Sequence, residues 1–141
     1  MFRGYKIIKE QRAMQRILWR TDRNSPVKIY ELNTITYGTA SAPFLATRCL
    51  HELGLQNKER YPEASKGILH DFYVDDLLSG AQTFEAACQL KAEWTSILDS
   101  AGLELRKWAS NDLRIIQDGN QKEHEDVPIH GEKDPKTLGL V

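Results

Sequence analysis

The chain has 141 residues, enough for one domain with a modest core, and its 19 Lys and Arg side chains are balanced by 20 Asp and Glu. This balance argues against a stand-alone nucleic-acid binder held by a global positive field, although basic residues crowd the first quarter of the chain. Two isolated cysteines argue against a disulfide or zinc framework, and the sequence lacks both a signal-peptide core and the apolar run of about 20 residues that spans a bilayer. We therefore expect an intracellular, cytoplasmic protein without a membrane partner.

The first third of the chain predicts a hairpin and a helix. QRILWR (15–20) and KIYELNTITY (28–37) alternate apolar and polar residues on either side of an Arg-Asn-Ser-Pro turn, which predicts two paired strands. A helix is predicted from Ala42, with Pro43 tolerable in its first turn and Gly54 placed to end it. Its apolar residues recur at helical spacing, so one face of the helix is expected to be buried.

The middle of the chain places two acids at the tip of a predicted hairpin. ILHDFYV (68–74) has the β-branched and aromatic composition of a strand, and LLSG (77–80) is placed to return from it, with Asp75 and Asp76 between them. Neighbouring carboxylates repel each other, and a bound divalent cation such as Mg²⁺ offsets that repulsion. The alternative is a solvated turn, since Asp is a favoured turn residue. The predicted turn, however, lacks the Gly or Asn that a simple hairpin turn prefers.

A second helix, a strand and a charged segment complete the pattern. Thr83 is suited to cap a helix that stops at Gly102, and LELRKW (103–108) alternates as a further strand. Residues 111–135 are polar and charged, which indicates a long loop, and KTLGLV (136–141) is typical of a strand. Helices on one face of an antiparallel sheet, an α+β layout, account best for this order.

Three blocks in this order resemble reverse transcriptases. FYVDDLL (72–78) resembles their YxDD motif, TYGTASAPFLATRCL (36–50) the conserved block before it, and LELRKWASN (103–111) the block after it. With QRILWR upstream and KTLGLV downstream, the chain is most similar to the polymerase of BEL/Pao-type LTR retrotransposons. The resemblance implies a truncated palm, in which two helices pack on one face of an antiparallel sheet, with part of the fingers. It implies one partial domain with fingers and palm strands in 1–38, palm helices and the YVDD hairpin in 39–110, a charged loop in 111–135 and the start of the primer grip in 136–141.

The same resemblance implies a set of site residues. Asp75 corresponds to the main metal-binding aspartate and Asp76 to its less directly ligated partner, in a centre that holds two Mg²⁺ in the intact enzyme. The partners of that enzyme are an RNA or DNA template-primer and a deoxynucleoside triphosphate. The resemblance implies nucleotide contacts for Phe2, Gly38 and Lys107, and a primer grip beginning at Leu138 and Gly139. For Lys107 a plain cation on a strand edge is the alternative, because Arg106 is adjacent and the register is loose.

The N-terminal residues imply an incomplete catalytic site. Met1-Phe2 matches the end of the family pattern Asp-Ile-Xaa-Lys-Met-Phe, so the first metal-binding aspartate is expected upstream of Met1. Loss of a principal carboxylate removes orders of magnitude in rate, and we expect no useful polymerase activity from this chain by itself. Two alternatives stay open. One is a non-catalytic retroelement remnant or domesticated module that binds nucleic acid or protein; the other is an unrelated α+β domain whose acids form only a turn.

Overall fold

The computed structural model describes residues 4–117 and 127–128, and the chain divides into two compact units, Met1–Cys49 and Leu50–Val141. Helices and short strands are mixed, which confirms the α+β class. The described strands pair two by two, antiparallel in two cases and parallel in the third, so a single palm sheet carrying both helices stays a prediction. Within the same ranges, no helix has the length and apolar composition that crossing a bilayer requires.

The predicted N-terminal hairpin is present in the first unit. Strand β1 (Arg16–Trp19) follows a 3₁₀ helix over Lys9–Gln15 and pairs antiparallel with β2 (Lys28–Glu31). The register places Arg16 opposite Glu31, where the two side chains form an ion pair of 2.9 Å. All eight strand residues are exposed, so this hairpin contributes none of the buried side chains of its unit, which are Tyr5, Ile35, Ala42 and Ala46.

Helix α1 begins where the sequence predicts and runs past its predicted end. It spans Ala42–Asn57, so the expectation that Gly54 stops it is wrong. Gly54 is buried inside the helix, and a Cβ built there would lie 3.0 Å from the Leu69 side chain. The glycine is therefore explained by close packing, and Asn57 ends the helix with its side-chain amide donating to the Leu53 carbonyl at 2.9 Å.

The strand predicted over 68–74 is largely a helix. Helix α2 spans Pro62–His70, and only Phe72–Tyr73 (β3) is extended. Pro at the first helical turn and Glu63 next to it favour helix initiation, and Ala64 and Ile68, four residues apart, are both buried. The β-branched and aromatic residues of this segment suggest a strand. The buried face of the helix consists mainly of small residues, Ala64, Ser65 and Gly67, which give little apolar periodicity in the sequence.

Helix α3 (Phe84–Ser100) confirms the second predicted helix. The Thr83 hydroxyl accepts a hydrogen bond from the Ala86 N–H at 3.2 Å, and Gly102 after the helix has φ +72°. The core of the second unit lies between α2 and α3, where the Trp94 indole N–H donates to the Ala64 carbonyl at 2.9 Å. This cluster of buried residues comprises Ala64, Ile68, Trp94 and Ile97.

The strand predicted over LELRKW (103–108) does not form. Leu103 is buried and Leu105 half-buried, so the alternation is real, but Lys107 has φ +57° and breaks the extended backbone. That reversal lets Trp108 pack against the core cluster. Strand β5 (Ala109–Ser110) and helix α4 (Leu113–Gln117) follow, and β6 (Val127–Pro128) pairs parallel with β5. The loop predicted over 111–135 thus contains regular structure, and the strand predicted over 136–141 lies outside the described residues.

Candidate metal centre at the YVDD hairpin

The two acids lie on a tight hairpin, as the sequence predicts. Strand β3 pairs antiparallel with β4 (Asp76–Leu77), Phe72 opposite Leu77 and Tyr73 opposite Asp76. The turn between them therefore consists of Val74 and Asp75 alone. Asp75 occupies the turn, and Asp76 is the first residue of the returning strand. The two carboxylates are therefore attached to a turn position and a strand position, respectively.

The hairpin has one face toward the core and one toward solvent. Phe72 and Leu77 are half-buried and pack against the core cluster. Because successive strand side chains alternate between faces, their neighbours Tyr73 and Asp76 lie on the outer face, and both are exposed. The core thus holds the hairpin from below and leaves its acidic end accessible to a partner in solvent.

The backbone of the turn is strained at Val74. This residue has φ +57°, a left-handed conformation that costs an L-residue about 1–2 kcal/mol and is unusual for a β-branched side chain. A positive φ at the first central position is normal for two-residue hairpin turns, where Gly, Asn or Asp usually supplies it. Val74 is also 57% exposed, so burial does not compensate for the strain. Such strain is typical of functional sites, where geometry is imposed against local preference.

Asp71 and Ser79, which the sequence analysis did not single out, close the base of the hairpin. The Ser79 hydroxyl donates to Asp71 Oδ2 at 2.5 Å, and the Leu78 N–H donates to the Asp71 carbonyl at 3.0 Å. A signal was present in the sequence, since each residue lies four positions from Asp75 and Asp and Ser are a hydrogen-bonding pair. That spacing gains meaning only once the turn is known to be centred near Asp75.

The donor set of the hairpin fits Mg²⁺ in kind. Two adjacent carboxylates supply the hard oxygen ligands that Mg²⁺ prefers, and the ion normally keeps several waters beside one or two carboxylates. Among the described residues, no group of three or more His, Cys, Asp or Glu side chains is arranged to hold a metal. The hairpin alone offers two adjacent carboxylates, and a two-metal centre would require a further carboxylate from outside the hairpin.

The other predicted site residues are placed separately. Gly38, in the first unit, has φ +86°, a backbone conformation that favours glycine, although a Cβ built there would meet no atom within 4 Å. Lys107 is exposed in the segment after α3. Phe2, Leu138 and Gly139 lie outside the described residues, so their roles, like those of Gly38 and Lys107, stay predictions.

A cleft of about 470 Å³ in the second unit is a less suitable site. The lysine that lines it is already engaged by the protein: the Lys91 ammonium donates to the Ile115 carbonyl at 2.6 Å and lies 5.3 Å from the Trp108 ring centroid. Arg114 stacks on Phe84 and forms an ion pair with Asp112, whose pKa is lowered chiefly by that hydrogen bond. These contacts attach α4 to α3, and a structural role accounts for them.

Comparison with models of protein families, with curated proteins and with solved structures finds no match for this chain. The function is therefore inferred from the chain's own residues and geometry.

Proposed function

We propose that this chain is part of an RNA-directed DNA polymerase of the BEL/Pao retrotransposon type, with Asp75 as the main metal-binding carboxylate. The resemblance of FYVDDLL (72–78) to the YxDD motif supplies the family, and one structural observation supports the site. A β-branched residue with φ +57° sits at a two-residue turn and presents Asp75, with Asp76 next to it, at the exposed end of a hairpin whose base is packed on the core. A simple solvated turn gives no reason to keep valine there.

The chemistry that suits this arrangement is nucleotidyl transfer to a primer 3′-hydroxyl. If two Mg²⁺ were bound at this hairpin, their charge would lower the pKa of the attacking hydroxyl and neutralise the leaving pyrophosphate. Asp75, in the turn, is the residue we expect to be the main metal ligand, and Asp76 would support it from the first position of β4. Packing of Phe72 and Leu77 on the core holds the two strands that flank the turn, which would reduce the reorganisation that metal binding requires.

The remaining roles follow the same proposal. Gly38 allows the nucleotide or template to approach the backbone, Lys107 stabilises the triphosphate, and Phe2 excludes a ribose 2′-hydroxyl. Leu138 and Gly139 begin the primer grip, and the palm, with part of the fingers, is the fold to which all of these residues belong. The proposal places the first metal-binding aspartate upstream of Met1, so we expect no primer extension by residues 1–141 alone.

The coding sequence directly upstream of Met1 tests the assignment most cheaply. The proposal predicts an in-frame Asp-Ile-Xaa-Lys, which would complete the pattern that ends in Met1-Phe2. A stop codon or an unrelated sequence there would contradict a working polymerase and favour a non-catalytic remnant.

Primer extension tests the expected inactivity. The chain is incubated with poly(rA), oligo(dT), deoxythymidine triphosphate and Mg²⁺, and compared with Asp75→Asn. We expect no extension by either protein. Robust extension by the chain that Asp75→Asn abolishes would show that residues 1–141 hold a complete catalytic site.

A second candidate function, a nucleic-acid-binding module, is favoured by the surface of the first unit. Residues 4–49 carry eight basic and three acidic side chains, although the whole chain is nearly neutral. The β1–β2 register brings Trp19 opposite Lys28 and Ile17 opposite Tyr30, which places both aromatic rings on one face, 59% and 45% exposed. Exposed aromatic rings beside cations are the features that bind single strands by base stacking.

Filter binding of a labelled single-stranded oligonucleotide across salt concentrations tests this candidate. Stacking contributes about 1–3 kcal/mol per base, so Trp19→Ala is expected to weaken binding at least roughly five-fold. Phe44→Ala is the matched control, because Phe44 is an aromatic residue of the same unit that is 69% exposed on α1. Absence of affinity even at low salt, or equal losses in both variants, would contradict the module.

A further inference from the structure

The base of the YVDD hairpin is joined to the end of helix α2 through a single residue. We propose that Asp71 and Ser79 form a clamp that positions Asp75, with Asp71 fixed by the helix and Ser79 holding the returning chain. This inference rests on the proposed function, because it concerns how Asp75 is positioned at the same proposed metal site.

Asp71 uses three of its polar groups in this junction. Its N–H donates to the Gly67 carbonyl at 2.8 Å and so ends α2, while its carbonyl accepts from the Leu78 N–H at 3.0 Å. Its carboxylate accepts from the Ser79 hydroxyl at 2.5 Å. The residue is therefore tied on one side to a helix with a buried face and on the other to the strand that returns from the acids.

The hairpin needs such a fastening because it is short. It has two cross-strand pairs, and isolated two-stranded hairpins are marginal in water. The positive φ of Val74 also favours opening of the turn, since an open chain relieves it. Packing of Phe72 and Leu77 fixes the inner face, and the chain after Leu78 continues through exposed Ser79 and Gly80.

The side-chain bond of the clamp can be removed without touching its backbone bonds. Ser79→Ala deletes the donor to Asp71 and leaves the Asp71 amide and carbonyl in place. Ser79→Thr keeps a hydroxyl and should restore the bond. Ser100→Ala is a matched control, since the Ser100 hydroxyl donates to the Ile97 carbonyl at 2.6 Å at the far end of α3.

Two measurements on the full chain test the clamp, namely hydrogen exchange of the Leu78 amide and the dissociation constant for Mn²⁺. A hydrogen bond contributes about 1 kcal/mol, so Ser79→Ala should accelerate exchange at Leu78 by about five-fold and weaken Mn²⁺ binding several-fold. Ser79→Thr should return both values to those of the unaltered chain, and Ser100→Ala should leave both unchanged. Asp75→Asn is included to show that the Mn²⁺ signal arises from the hairpin.

Three outcomes would overturn the clamp, and one of them also overturns the metal site. If Ser79→Ala changes neither value while Asp75→Asn abolishes Mn²⁺ binding, the proposed function stands and the clamp is wrong. If exchange accelerates but Mn²⁺ affinity is unchanged, the bond is merely structural, and a positioning role is again wrong. If Asp75→Asn leaves Mn²⁺ affinity unchanged, the metal site itself fails, and a role in positioning it fails too.

Discussion

The core between α2 and α3 and the β3–β4 hairpin are neighbours in the chain, yet they differ in burial and in backbone strain. In the core, Ala64 and Ile97 are at most 1% exposed, and the Trp94 indole has a hydrogen-bond partner. In the hairpin, Tyr73 and Val74 are more than half exposed, and Val74 adopts a conformation that its side chain disfavours. The difference indicates that local stability is concentrated in the helices, whereas the hairpin keeps a costly geometry that suits the proposed functional role.

The largest expected effect lies in the core. Trp94→Ala removes a buried indole and its hydrogen bond to the Ala64 carbonyl, and should lower the free energy of unfolding by about 3–5 kcal/mol. Urea denaturation followed by far-UV circular dichroism measures the change. Trp19→Ala, at a tryptophan that is 59% exposed, is the control and should cost far less. Equal losses would show that the α2–α3 cluster is not the stabilising region.

A smaller effect is expected at Gly67 of α2, which lies against the Trp94 ring of α3. A Cβ at Gly67 would lie 2.8 Å from the Trp94 ring, so Gly67→Ala should lower the free energy of unfolding by about 1–2 kcal/mol, although alanine favours helices. Gly80 lies just beyond the hairpin, and a Cβ there would meet no atom within 4 Å. Gly80→Ala should therefore be nearly neutral by the same denaturation measurement. A stabilising Gly67→Ala would mean that the helices are less tightly packed than described.

The smallest effect has the opposite sign and lies in the hairpin. Asn tolerates a left-handed backbone better than Val, so Val74→Asn should raise the free energy of unfolding by about 0.5–1 kcal/mol. Val27→Asn is a matched control, because Val27 is 56% exposed and has no positive φ. A thermal melt of each variant measures the shift. If Val74→Asn destabilises the protein as Val27→Asn does, the turn is not strained and the contrast with the core disappears.

The sequence predicts α3, the start of α1 and the β1–β2 hairpin, and it misses helix α2. Thr83 and Gly102 mark both ends of α3 because caps act through local backbone geometry. Gly54 and Ile68 misled the prediction, since a glycine also serves close packing and a β-branched residue also fits a buried helix face. LELRKW alternates like a strand, but the positive φ of Lys107 interrupts the extended backbone.

For the candidate site, the sequence predicts the position of the acids and misses what holds them. Asp75 lies in the turn, as predicted, whereas Asp76, predicted beside it between the strands, is the first residue of β4. The strain at Val74 and the hydrogen bond between Asp71 and Ser79 depend on φ angles and on a contact across the turn. Neither follows from residue type or periodicity, because both arise only after the strands have paired in one register.

Binding of Mn²⁺, followed by paramagnetic broadening of backbone amide signals, tests the central claim that the hairpin is a metal-binding element. The account predicts that signals of Tyr73 to Leu77 broaden first, and that Asp75→Asn removes this selectivity. Asp99→Asn, at an exposed aspartate near the end of α3, should leave it unchanged. Broadening spread evenly over the exposed acids, or selective broadening that survives Asp75→Asn, would contradict the claim.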